Sequence, residues 1–198
     1  MIARLLLSLL LFCGLTQAGE PNLYPSNLAG VRAEVVLVEP QRGSPYPGLA
    51  QALIAQLPDL GWQVRLVPTL PEDPSEVLGG DTVWLAQGEV VGTLAAKLAD
   101  GKLEPPLALV SIGGFQWPQQ DVPTLAARLV MQPSPVLDVI SDWDHPLSLA
   151  GQKQRAIEAS RSNKRNYRQW RNYLDYQQVD DHQELITRIH GWLSRQLR

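Results

Sequence analysis

Apolar residues in this chain fall into short blocks, separated by polar stretches rich in glycine and proline. Ala33–Val38 is a β-branched apolar run closed by Pro40-Gln-Arg-Gly-Ser-Pro45, which predicts a strand and then a turn. Ser44-Pro45 has the form of a helix start, and Leu49, Leu53, Leu57 and Leu60 follow at helical spacing up to Gly61. Trp62–Val67 predicts a second strand, stopped by Pro68, and Leu70–Gly80 reads as a connection with little helix. Further strands are expected at Thr82–Ala86, Leu107–Ile112 and Pro135–Ile140, and a more polar one from Tyr167 to Leu174. Helices are expected over Glu89–Leu98, Val122–Val130 and Leu147–Asn163. A last helix opens at Asp181, where Glu184 would complete a capping box, and Leu185, Ile189, Trp192 and Leu193 form its apolar face.

The middle strands are apolar throughout instead of alternating, as strands buried on both faces of a parallel sheet are. With helices between them, the fold class is α/β, a three-layer α/β/α sandwich on a mostly parallel sheet of about six strands. In such sheets chemistry gathers at the C-terminal strand ends. Here those ends are Glu39–Gly43, Pro68-Thr69, Ala86–Glu89, Gly113–Phe115 and Ser141–Pro146.

The first 18 residues stand apart from this pattern. A short cationic start, Met1–Arg4, precedes the apolar run Leu5–Leu15 and the small-residue site Thr16-Gln17-Ala18, the layout of a secretory signal peptide cleaved after Ala18. The run is shorter than the roughly 20 residues that span a bilayer. Bulky Phe12 argues against lipidation of Cys13. Cleavage would remove the only cysteine, which suits an oxidising compartment, so the expected location is periplasmic or secreted. Residues 19–32 read as a loose lead-in and 33–198 as a single domain with its own core. The chain carries a net charge of −3 and three histidines. A closed zinc site is therefore not expected, nor is any cofactor or nucleic-acid partner.

Candidate chemistry centres on Asp81–Gly92, "DTVWLAQGEVVG", where a buried strand meets a helix at Gly88. A nucleophile elbow has this strand–turn–helix form, but glycine offers no nucleophilic atom. The alternative is an ordinary glycine loop, and Val90 is larger than an elbow usually has two residues after its apex. After the apolar strand Pro135–Ile140, Asp142 and Asp144 can either orient a catalytic histidine or cap the following helix. His182 lies at the start of the last helix, where a general base would belong or where it would simply be exposed; His145 and His190 have weaker cases, and His190 reads as solvated. Lys153, Arg155, Arg161, Lys164, Arg165, Arg168 and Arg171 form a basic stretch with Tyr167, Trp170 and Tyr173 at its end. It is either a solvated surface or an attractor of anionic groups, with Arg161, Lys164, Arg165 and Arg168 as the anion-binding candidates.

Several segments together resemble a domain-of-unknown-function family of proteobacterial, signal-peptide-bearing proteins in the α/β-hydrolase superfamily. They are "VVLVEPQRGSPYPGLAQALIAQLPDLGWQVRLVPTLP", "VWLAQGEVVG", "PVLDVISDWDHP" with the basic helix after it, and "YRQWRNYLDY…DDHQELITRIHGWL". The resemblance implies a trimmed hydrolase sheet with Gly88 at the nucleophile place, Asp144 at the acid place and His182 at the base place. It supplies a fold and not a reaction.

Three functional expectations follow. The leading one is an envelope-associated binding module without triad catalysis, whose partner is an anionic envelope lipid or an envelope protein. The second is an esterase-like hydrolase in which Asp144 and His182 activate water or a hydroxyl such as Ser111 or Ser141, with backbone N–H groups of Gln41 and Glu89 as the oxyanion donors. The third places lipid binding on the basic helix.

Overall fold

Alternate residues of each apolar strand point to opposite faces of a sheet, and here both faces are buried. The computed structural model describes residues 22–40, 46, 48–117 and 124–198. The expected signal segment, the Ser44-Pro45 helix start and the beginning of the helix expected from Val122 lie outside those residues.

The strands are β1 (Leu23–Tyr24), β2 (Glu34–Val38), β3 (Gln63–Val67), β4 (Val83–Gln87), β5 (Ala108–Ile112), β6 (Val136–Ser141) and β7 (Tyr167–Asn172). They form one seven-stranded sheet in the order β1-β3-β2-β4-β5-β6-β7. All neighbours run parallel except β1, which pairs antiparallel with β3. The strand beyond the expected set is β1, within the stretch read as a loose lead-in; two residues are too short to show a period.

Helices α1 (Leu49–Gln56) and α5 (Val179–Gln196) cover one face, packing on Val35, Leu37, Val64, Leu85, Val110 and Val139. Helices α2 (Glu89–Ala99) and α3 (Leu125–Met131) cover the other, on Val36, Val38, Trp84, Ala86, Leu109 and Val136. Helix α4 (Pro146–Arg161) packs against α3 and β6. Helix α1 stops before the expected Leu60: Pro58 has no N–H to extend it, and a 3-10 turn over Pro58–Leu60 follows. Helix α5 starts ahead of Asp181, so the expected capping box does not form. Asp181 lies inside the first turn, and its carboxylate accepts the Asp175 N–H at 2.7 Å.

Helix α4 is held by charge more than by apolar contact. Its buried residues are Ser148 and Arg155. Arg155 Nε donates to Asp138 Oδ2, in the middle of β6, at 2.8 Å, with both side chains almost wholly buried. Arg155 Nη1 donates to Gly114 O at 3.3 Å and Nη2 to Ser148 O at 3.1 Å. Asp138 also accepts from Tyr167 Oη at 2.7 Å, Ser111 Oγ at 3.1 Å and Gln169 Nε2 at 3.4 Å. Arg155 therefore leaves the expected exposed basic stretch: it faces the sheet, where only a carboxylate can balance it. Burying such a pair adds little net stability, but orphaning one partner is costly. Arg155→Met should lower the unfolding free energy by about 3–5 kcal/mol in urea titrations, and adding Asp138→Leu should restore part of that loss.

Candidate functional site

The turn between β4 and α2 is built around Gly88, at φ 59° and ψ −129°. Side chains rarely adopt this backbone conformation, and glycine does so without penalty. The Gly88 N–H donates to Ile112 O at 3.0 Å, and the Phe115 N–H donates to Gly88 O at 3.2 Å, pinning the turn to the end of β5. A Cβ on Gly92 would lie 2.7 Å from Phe115 O, so the loop after β5 rests directly on α2. The larger Val90 is accommodated in the core between α2 and the sheet. The result is the sharp strand–turn–helix of an elbow, with no side chain at its apex.

Asp144 is buried just after β6. Its Oδ2 accepts the Ser141 N–H at 3.0 Å and the Ser148 hydroxyl at 3.4 Å, and its Oδ1 accepts the Tyr46 hydroxyl. Burial pushes the Asp144 carboxyl up to about 6 against the downward pull of these hydrogen bonds, with the charge of Asp138 adding to the rise. Burial likewise raises the Tyr46 hydroxyl above the usual tyrosine range. Gly113, at φ 56°, gives Tyr46 and Asp144 room to meet: a Cβ there would collide with the Tyr46 hydroxyl and sit 3.0 Å from Asp144 Oδ1.

His182 is buried in the first turns of α5, and its Nε2 lies 2.8 Å from the backbone carbonyl of Tyr176. A carbonyl only accepts, so in the neutral ring Nε2 carries the proton and Nδ1 is the acceptor. Nδ1 is buried without a hydrogen-bond partner. A triad needs the reverse: Nδ1–H toward the acid and a free Nε2 toward the nucleophile. No hydrogen bond or ion pair joins His182 to Asp144 among the described residues. The Tyr46 ring lies beside these groups, edge-on to Tyr176 with centroids 5.1 Å apart.

The other expected residues have separate surroundings. Ser111 is buried and donates to Asp138, and Ser141 donates to Leu174 O and accepts the Trp143 N–H, so both hydroxyls serve the fold. Gln41 lies outside the described residues, and Glu89 opens α2. His145 is the N-cap of α4, accepting the Leu147 N–H at 3.2 Å and stacking on Phe115 at 4.4 Å. Asp142 pairs with Arg171 at 2.8 Å, and Arg161 lies 3.7 Å from Glu158. Arg161, Lys164 and Arg165 sit where α4 returns to the start of β7, at the sheet edge opposite Gly88; Arg168 is exposed on β7. Burial lowers the pKa of Lys164. His190, read as solvated, instead accepts the Trp62 indole N–H at 3.0 Å.

Tyr46 is the site residue that the sequence did not indicate. A tyrosine in a proline-rich turn gives no sign that its hydroxyl will reach a carboxylate 98 residues away. Around the same edge Trp117, Trp143 and Tyr173 are exposed. Beside them a cleft of about 260 Å³ opens between Phe115, Leu125, Leu147 and Gly151. Among the described residues no group of three or more His, Cys, Asp and Glu side chains is placed to hold a metal ion.

Comparison with known proteins adds family and fold. A family model described as "Protein of unknown function (DUF3530)" matches residues 80–195, more than half the chain. No curated protein matches the sequence. The structure is similar to the esterase domain of a Rhodothermus marinus protein, with TM-score 0.62 and 10% identity over 89% of this chain and 92% of that one. It is similar to Est1E from Butyrivibrio proteoclasticus, with TM-score 0.60 and 11% identity over 88% and 93%. A soluble variant of monoglyceride lipase from Saccharomyces cerevisiae has TM-score 0.59 and 9% identity over 88% and 90%. At these identities the likeness is one of fold, and the seven-stranded sheet is of the α/β-hydrolase type.

The raised Asp144 pKa has a sign that can be tested. The folded carboxyl titrates near 6 against an ordinary 3.8, so the folded state binds the proton more tightly than the unfolded chain. That stabilisation is complete below the ordinary value and is lost as pH rises through about 6, an effect of about 3 kcal/mol. Asp144→Asn should flatten this part of the stability–pH curve, gaining on the wild type between pH 3.8 and about 6 in denaturant titrations.

Proposed function

Because the chain belongs to the family described as "Protein of unknown function (DUF3530)", a membership that carries no reaction with it, we propose its role from the site. It is a hydrolase-fold protein that does not run serine-triad catalysis and works as a binding module in the cell envelope. The observation that carries this reading is the separate engagement of the acid and the imidazole. Asp144 is sealed by Tyr46, Ser141 and Ser148, while His182 presents the wrong tautomer and bonds to Tyr176. Glycine at the elbow supports the same reading, since acyl transfer at that place has no nucleophile. The exposed aromatic side chains and the adjoining cleft offer a surface for a ligand at the sheet edge where hydrolase-fold proteins bind theirs. The cationic start, short apolar run and small-residue site of residues 1–18, read as a signal peptide, support an envelope location.

A serine-reactive fluorophosphonate should leave the purified protein unlabelled, as read by intact-protein mass spectrometry. Gly88→Ser should give no measurable ester hydrolysis and should lower stability by about 1–3 kcal/mol, the cost of a side chain in that backbone conformation. Stoichiometric labelling of the wild type, or ester hydrolysis by it that is lost in His182→Ala, would establish the hydrolase reading instead.

A further inference from the structure

At the sheet edge opposite Gly88, just before β2 and β3 begin, Arg32, Trp62, His190, Ser194, Leu197 and Arg198 line an open cavity of about 380 Å³. Its lining is rich in side chains that can donate hydrogen bonds. The indole N–H of buried Trp62 can only donate, and it lies 3.0 Å from His190 Nδ1. Nδ1 is therefore the acceptor, and Nε2 carries the ring proton. Burial, and after it the charge of Arg32, lowers the His190 pKa, which favours this neutral form.

Ser194 follows one turn later on the same face of α5. Helical serines often bond back to the carbonyl four residues earlier, but the Ser194 hydroxyl is buried with no hydrogen-bond partner. Arg32 is held in place from two sides: its Nε donates to Leu60 O at 3.2 Å, and its guanidinium lies 6.0 Å from the centroid of the Trp62 ring. The fork of its terminal nitrogens remains for a ligand. No ion pair involves Arg32 or Arg198 among the described residues, and no carboxylate side chain lines the cavity.

We propose that this cavity binds a phosphoryl group, either free phosphate or a phosphomonoester headgroup. A tetrahedral oxyanion can accept from an arginine fork, an imidazole N–H and a hydroxyl arriving from different directions, whereas a planar carboxylate meets fewer of them. The negative end of the α5 dipole opposes an anion here with the equivalent of about half a charge. The two guanidinium groups outweigh it. The cavity is roomier than a lone phosphate needs, which leaves space for whatever the phosphoryl group is attached to.

The site is tested by titrating the protein with inorganic phosphate and following the Trp62 indole N–H by NMR. A saturable shift is expected, weakened about tenfold or more in Arg32→Gln, the loss of one charge-assisted contact. A smaller weakening is expected in Ser194→Ala, and none in Lys97→Gln, which removes a cation on α2, on the other face of the sheet. Absence of a saturable shift, equal affinity for acetate, or full affinity in both Arg32→Gln and Ser194→Ala overturns the proposal. Vesicles separate the two sources. Retention on phosphatidic acid but not phosphatidylcholine, lost in Arg32→Gln, assigns the headgroup; a phosphate shift without vesicle retention assigns the free ion.

Discussion

A carboxylate in the middle of a buried parallel strand has no water to turn to, and every donor around Asp138 is aligned to answer it. Arg155 reaches it from α4, Ser111 from β5, and Tyr167 and Gln169 from β7. One charged atom pair thereby ties together elements that apolar contact alone would join weakly: α4 is mostly polar, and β7 presents arginines and a glutamine along the edge of the sheet. Arg155 also reaches back to Gly114 and Ser148. The loop after β5 and the first turn of α4 are held by the same guanidinium, and between them lies the turn that carries Asp144.

The turns at the strand ends of this hydrolase-type sheet are likewise held by local hydrogen bonds. The elbow is positioned by backbone hydrogen bonds to the end of β5, which do not depend on what side chain stands at the apex. Asp144 and His182 are each satisfied locally, one by a tyrosine hydroxyl and one by a backbone carbonyl. Tyr46 takes part in the first and the Tyr176 backbone in the second, and the two rings pack edge to face. The carboxyl and the imidazole are thus held by separate hydrogen bonds near the strand ends.

What could be read from residues alone divides along physical lines. Strands buried on both faces announce themselves through unbroken apolar runs such as Val35–Val38 and Val83–Ala86, and the elbow through a glycine set between strand and helix. Leu23–Tyr24 is too brief for any period, and its pairing is decided by β3. The helical spacing of α4 shows where Arg155 lies on the helix, but not that a buried carboxylate waits opposite it, because exposed and buried cations look alike in one dimension. The same holds for His190, whose partner Trp62 is 128 residues distant. Asp144 and His182 could be placed along the chain, yet their hydrogen bonds depend on Tyr46 and on the Tyr176 backbone, contacts that exist only once the sheet has closed.

The open flank of β7 bears on how these molecules meet one another. Among the described residues β7 ends the sheet, so its outer backbone groups have no strand beside them. Arg168 and Arg171, both exposed, stand on either side of half-buried Gln169 and Trp170. If a second copy paired antiparallel about the middle of that strand, Arg168 of each would face Arg171 of the other, and directly opposed like charges destabilise a strand pair. In that register the sheet resists growing by its own repetition.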